Sequence, residues 1–318
     1  MHGLTPPGLM RHVALIGPTG AGKSALALGL ARLRPEAEIV SVDSMAVYRG
    51  MDIGTAKPSL AAREEIPHHL IDVAYPEDEF TVQRYQAEAR CVLDGIEQRG
   101  HRGLLVGGTG LYLRAIVDRL EIPGRWPEVA AELAAVARER GGLESLYRRL
   151  EDLDPLAAAR MEPTNERRIL RALEVTIGAR RRFSSFGPGL QRYPPTSVVL
   201  AGIPLVPSLH YTLIEKRFDG MLRAGLVEEV ATLSRRQGGM SRTARQALGY
   251  RELLEHLSGA ISLDQATDLA VRRTKVLARR QWSWARRDPR VHWLDVDGDL
   301  LDQLVALWDT SASDAVGG

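Results

Sequence analysis

The sequence predicts an α/β protein: a P-loop NTPase-like parallel sheet flanked by helices, with a small all-helical insertion domain. Three observations carry this. An apolar strand at 13–16 runs into a glycine-rich turn and a helix start, Gly17-Pro18-Thr19-Gly20-Ala21-Gly22-Lys23-Ser24. Further short apolar runs at 37–42, 103–106 and 197–203 alternate with segments of helical period, as in a parallel sheet. Between 121 and 195 the pattern is helical throughout, with Pro123, Gly124 and Pro127 at its start and Gly187, Pro188, Pro194 and Pro195 at its end. The core domain is therefore assigned to 1–120 and 196–318, and the insertion to 121–195.

The glycine-rich turn fits G-x-x-x-x-G-K-[ST]. Its glycines remove Cβ atoms, so backbone N–H groups can close around phosphate oxygens. The helix expected over 23–33 points its positive end at the same anion. Lys23 adds a cation, and the Ser24 hydroxyl is a candidate Mg²⁺ ligand. Lysine occurs only at 23, 57, 216 and 275, so a lysine here is not compositional background. The motif specifies a phosphate or pyrophosphate ligand and does not specify ATP.

The 318 residues suffice for one large or two modest domains. Hydrophobic residues at 44% and charged residues at 26% are ordinary for a globular protein. A net charge of +2 excludes a global polycation, so any nucleic-acid surface must be local. Nearly all positive charge is Arg, so Arg counts alone weigh little. The single cysteine, Cys91, rules out an intramolecular disulfide and is assigned a buried helix position. No apolar run reaches the roughly 18 residues of a membrane span. The first ten residues lack a signal-peptide layout, so a cytoplasmic location is expected. The tail from Asp309 is small and polar and is expected to be disordered.

The strand at 37–42 ends at Asp43-Ser44. Ligands of open α/β sheets sit beyond the carboxyl ends of the strands, so Asp43 is expected to face the phosphate loop. A carboxylate there is a general base or a metal-linked group; the alternative is a turn or N-cap aspartate. Residues 48–57 have no clear period and read as an ordered loop over the site. His68, His69 and Asp72 follow, without a third ligand at metal spacing. An amphipathic helix spans 80–98, apolar at Val82, Tyr85, Ala89, Val92, Leu93 and Ile96. The strand at 103–106 ends in Gly107-Gly108-Thr109-Gly110. A nucleotide hydrolase normally carries an Asp there to hold Mg²⁺ and position water. The glycines instead admit a close ligand, and Thr109 projects a hydroxyl toward the crevice or stays a turn threonine.

Helices are expected over 128–140, 143–150, 155–161 and 165–177, the last capped by Thr164. Arg167 and Arg171 share a face of that last helix. A helix over 209–224 carries Lys216, Arg217 and Arg223. The stretch from Thr243 to Arg251 mixes basic, amide and aromatic groups. In the helix over 263–287, Arg272, Arg279 and Arg286 form one stripe, and Arg273, Arg280 and Arg287 a second. Ala270, Leu277 and Trp284 oppose them and are assigned to the core. The twin stripe suits a phosphate backbone; a solvated basic face is the alternative.

Five separated motifs then occur in order: Gly17–Ser24, Ser41-Val42-Asp43-Ser44, Met51–Pro58, Gly107-Gly108-Thr109-Gly110-Leu111-Tyr112 and Arg171-Ala172-Leu173-Glu174-Val175. Together they resemble the tRNA dimethylallyltransferase (tRNA isopentenyltransferase) family, over about residues 12–294. The resemblance implies transfer of the dimethylallyl group of dimethylallyl diphosphate to N6 of the adenine beside the tRNA anticodon, position 37, with pyrophosphate leaving. It implies that Gly17, Pro18, Thr19, Gly20, Ala21, Gly22, Lys23 and Ser24 grip the diphosphate, with Mg²⁺ on Ser24. Asp43 is the implied general base, and Thr109 and Arg217 lie near the reacting centre and diphosphate. Implied tRNA contacts are Asp43, Ser44, Met45, Ala46 and Thr109; Arg167, Arg168, Ile169, Leu170 and Arg171; and Arg245, Gln246, Gly249, Tyr250 and Arg251. Arg272, Arg279 and Arg280 join them from the charge pattern. The partner is the anticodon stem-loop, clasped by the insertion, with the target base extruded into a channel. Many members carry Gln at Ala46 and some carry Arg at Ala130, so neither side chain is assigned the family's contact. With one cysteine in the sequence, the zinc-finger extension of eukaryotic relatives is not expected. One such site can work as a monomer.

Three other readings share the phosphate loop. A small-metabolite kinase leaves the basic helix and the 243–251 stretch unexplained. A prenyltransferase acting on free adenine nucleotides needs no anticodon-clasping insertion. An RNA-binding nucleotide switch sits badly with the missing strand-end aspartate.

Overall fold

The computed structural model describes residues 12–187 and 189–313. Six parallel strands form one sheet: β1 (Val13–Ile16), β2 (Ala37–Val42), β3 (His68–His69), β4 (Arg102–Gly107), β5 (Val199–Gly202) and β6 (Val291–Trp293), in spatial order β3-β2-β4-β1-β5-β6. β1 lies inside the sheet between β4 and β5, and all four of its residues are buried. Its side chains alternate between two cores, as the period of a strand requires. Ala14 and Ile16 join Tyr85, Leu105 and Tyr112 on one face; Val13 and Leu15 join Leu30, Leu104 and Leu304 on the other. Coverage on both faces explains why the strands read as unbroken apolar runs.

The helices of this unit are α1 (Lys23–Leu33), α2 (Leu60–Glu65), α3 (Val82–Gln98) and α4 (Gly110–Val117), then, after the insertion, α9 (Pro207–Arg223), α10 (Leu226–Ser234), α11 (Tyr250–Leu257), α12 (Leu263–Ala285) and α13 (Leu300–Ser313). α1 spans the range expected from the sequence. Two expectations fail here. Cys91 is exposed, because the buried face of α3 is set by Tyr85, Ala89, Leu93 and Ile96, and a residue two beyond Ala89 points away from it. The tail is ordered to Ser313: Trp308 is 1% exposed, its indole donates to Glu36 Oε1 at 3.0 Å, and Asp309 pairs with Arg34 at 2.5 Å. Residues 314–318, and the segment tested for a signal peptide, lie outside the described residues.

Asp118–Pro194 form a second compact unit; the chain up to Val117 and from Pro195 onward forms the first. The second unit holds α5 (Pro127–Ala137), α6 (Gly142–Leu153), α7 (Pro155–Ala158) and α8 (Glu166–Gly178) around Leu133, Leu146, Leu150, Ile169 and Leu173. The N-cap of α8 is Asn165 rather than Thr164: its side chain accepts the Arg168 N–H at 3.3 Å.

Candidate functional site

β1 ends at Ile16, and the chain turns through Gly20 and Gly22 at φ 83° and 75°, conformations that glycine adopts without strain. α1 then begins at Lys23. The Lys23 ammonium donates to the carbonyls of Gly17 at 3.0 Å and Pro18 at 2.7 Å, which fixes it across the turn. Thr19 to Ser24, with Asp43, Arg217, Gly107 and Gly108, line a cavity of about 330 Å³ beyond the carboxyl ends of β1, β2 and β4. Thr55 to Pro58 and Ala46 complete one side, and Leu277 and Gln281 of α12 another. The loop at 48–57 therefore does border the site.

Asp43 stands directly after β2. Its Oδ1 accepts the N–H groups of Met45 at 2.7 Å and Ala46 at 3.3 Å, and Oδ2 has no hydrogen-bond partner among the described residues. The two readings of this residue are thus compatible: one oxygen makes the turn and the other is left to the cavity. Arg217, on α9, faces the same space. Burial pushes its guanidinium below the usual range, while the Asp43 charge opposes that. Burial also pushes the Lys23 ammonium down to about 8; Asp43 opposes this and Arg217 adds to it. Affinity for inorganic pyrophosphate should therefore be full below pH 8 and fall as the pH rises through it, as Lys23 loses its proton. Calorimetric titration of the wild type and Lys23→Met across that window checks this. Only the wild type should show the inflection near pH 8.

The glycines at the end of β4 and just after it make close protein contacts. A Cβ on Gly107 would come within 2.0 Å of the Val42 carbonyl, on Gly108 within 2.4 Å of Gln281 Nε2, and on Gly110 within 2.5 Å of the Trp284 ring. Of these, only Gly107 and Gly108 also border the main cavity. Thr109 does not line it. Its hydroxyl accepts the Ser44 N–H at 3.3 Å and borders a second, much smaller cavity of about 10 Å³. Of the two readings of Thr109, the turn contact is the one seen here: its hydroxyl braces the Asp43 turn.

Gln281 was not foreseen. Its Oε1 accepts the Thr19 N–H at 2.7 Å, tying α12 to the phosphate loop. The signal available was an uncharged amide amid the arginines of that helix, at Arg279-Arg280-Gln281. Leu277, assigned to the core, is 37% exposed and borders the cavity; Ala266, Ala270, Ala278 and Ala285 make the buried face instead.

The residues assigned to tRNA divide by exposure. Arg167, Arg168, Arg245, Gln246, Arg272, Arg279 and Arg280 are exposed. Arg251 is exposed too and pairs with Glu255 at 3.3 Å. Ile169 is 0% exposed in the core of the second unit, where Leu170 packs against the same core. Arg171 is half-buried, donating to the carbonyls of Pro123 and Gly124 at 2.8 Å and pairing with Glu174 at 2.9 Å. Gly249 is buried at φ 87°, and Tyr250 is 0% exposed. The side chains of Ile169, Arg171 and Tyr250 are therefore engaged within the protein in this structure. Arg273 is tied to buried Glu252, which breaks the second arginine stripe. No three His, Cys, Asp or Glu among the described residues are grouped to hold a metal. His69 serves Glu38 at 2.6 Å, and Asp72 serves Lys57 and Arg63, each at 2.6 Å.

Fold and site define an α/β protein with a P-loop-like fold, in which a carboxylate and an arginine share one cavity with the glycine-rich turn. The model of the IPP transferase family matches residues 46–288. A tRNA dimethylallyltransferase of Desulforudis audaxviator is 43% identical over 92% of this chain and 93% of its own length. Another, of Acidothermus cellulolyticus, is 45% identical over 96% of each. The crystal structure of a tRNA isopentenylpyrophosphate transferase from Bacillus halodurans superposes with a TM-score of 0.70 at 33% identity, covering 96% of this chain and 98% of that one. The chain belongs to the IPP transferase family.

Proposed function

We propose that the protein transfers the dimethylallyl group of dimethylallyl diphosphate to N6 of adenine 37 in tRNA and releases pyrophosphate. The observation that carries this is one cavity in which the phosphate loop, Lys23 and Arg217 face Asp43. The cations and the loop amides hold the diphosphate and stabilise the charge that builds as it departs. The N6 lone pair bonds to the prenyl carbon, the carbon–oxygen bond breaks, and its electron pair leaves with pyrophosphate. Oδ2 of Asp43 takes the N6 proton.

The Ser24 hydroxyl offers a hard oxygen donor at the cavity, which suits Mg²⁺ completed by phosphate oxygens and water. When bound there, the ion would supply further charge stabilisation to the leaving group. The exposed arginines of α12 are the electrostatic footprint for the anticodon stem-loop. Arg272, Arg279 and Arg280 changed together to Glu should weaken tRNA binding and flatten its log–log salt dependence by about 2. Filter binding between low and moderate salt measures this, and an unaltered slope would remove that helix from the RNA surface.

The reading carries with it a cytoplasmic location, where tRNA is found, and a monomer, because one cavity holds every group the step uses. No helix among the described residues is long and apolar enough to cross a membrane. The deciding experiment is incubation with tRNA and dimethylallyl diphosphate, followed by digestion and mass analysis of the nucleosides. Adenosine gaining one five-carbon unit supports the reading. Unmodified tRNA, or a prenylated free nucleotide instead, defeats it.

A further inference from the structure

One carboxylate outside the cavity lining is committed to the backbone of the cavity's lip. Glu229, in the first turn of α10, accepts the consecutive N–H groups of Asp52 at 3.0 Å, Ile53 at 2.8 Å and Gly54 at 3.2 Å. It also accepts the Tyr250 hydroxyl at 2.5 Å. The Tyr250 ring lies close against Gly54: a Cβ there would come within 2.4 Å of it. The next four residues, Thr55 to Pro58, line the cavity.

The lip is a built loop under some strain. Ala56 sits at φ 48°, a conformation that an L residue holds only where its surroundings fix it, and such strain collects at functional sites. Buried Lys57 anchors the far end, donating to the Tyr48 carbonyl at 2.6 Å and to Asp52 and Asp72 at 2.7 and 2.6 Å. The near end has Glu229. Three consecutive amides converging on one anion form a nest, and a carboxylate completes it from a neighbouring helix. Water could satisfy the same amides, but it would not fix where the lip stands.

We propose that Glu229 is a positioning residue for the diphosphate site, holding the 52–58 lip in place against the anion cradle by gathering three backbone amides and the Tyr250 hydroxyl. This rests on the reading of the cavity as a diphosphate site. Tyr250 then belongs to the lip rather than to the RNA surface.

Glu229→Gln keeps the shape and removes the charge. Two measurements need no RNA: hydrogen exchange of amides 52–54 and calorimetric binding of inorganic pyrophosphate. Exchange should quicken, and pyrophosphate should bind about tenfold more weakly. In the full reaction, KM for dimethylallyl diphosphate should rise about tenfold, with kcat within about threefold and KM for tRNA within about twofold. A residue that merely supports the fold would lower the melting temperature and the active fraction without moving that KM, and this result would overturn the proposal. Unchanged exchange at 52–54 would overturn it as well. Should Glu229→Gln fail to fold, Tyr250→Phe removes one donor while leaving the ring on Gly54. It should raise the same KM about threefold, and an unmoved KM sinks the idea. If pyrophosphate binding responds to Glu229→Gln while tRNA is never prenylated even by the wild type, the lip stands and the assigned reaction falls.

Discussion

Asp43→Asn is expected to stop prenyl transfer while pyrophosphate still binds. The substitution is chosen from the geometry. Oδ1 of Asp43 holds the turn through Met45 and Ala46, and an asparagine Oδ1 can accept the same two N–H groups. Oδ2 becomes an amide nitrogen, which cannot take a proton from N6. A positioned general base contributes about 10²–10⁴ in rate, so single-turnover transfer should fall by about that factor. Asp43→Ala is less clean, because it also leaves two amides without their acceptor and lets Ser44 to Ala46 shift. Rapid-quench single turnover with prebound tRNA measures the step. A rate within a few-fold of wild type would assign Asp43 to the turn alone.

Lys23→Ala should be nearly as damaging, by a different route. The ammonium is held at the mouth of the turn by the Gly17 and Pro18 carbonyls, where it meets a departing diphosphate. Loss of one preorganised donor to a developing anion costs about 10²–10³ in kcat. Pyrophosphate affinity should fall as well. The turn itself should survive, since its shape is set by Gly20 and Gly22 and by the start of α1. Lys23→Arg is not a mild substitute: a planar fork does not fill the place of a compact ammonium held between two carbonyls. Circular dichroism confirms folding, and steady-state kinetics with pyrophosphate release read the effect. Transfer within twofold of wild type would show that the loop amides suffice.

Much of the frame was legible in the chain. β1, β2, β4 and β5 declared themselves as apolar runs, because strands covered on both faces have no polar side to hide them. β3 and β6 did not: two and three residues at the edges of a sheet are too short for any periodicity. The five ordered motifs carried the family, since the glycine loop and Asp43 must follow particular strands to meet at the sheet's carboxyl edge.

What the sequence by itself determined was the cradle: its glycines, its lysine, and a carboxylate one strand later. Local chemistry suffices there, because each group acts where the backbone leaves it. Only the tertiary structure decided which polar residues face the cavity and which are consumed by the protein. Arg171, Arg273 and Tyr250 look like ligand-binding groups in the chain, yet each meets a partner on a neighbouring segment. Gln281 and Glu229 look like ordinary surface residues, yet they hold the cradle and its lip from distant helices. Hydrogen-bond partners hundreds of residues apart are set by packing, and no local pattern encodes them.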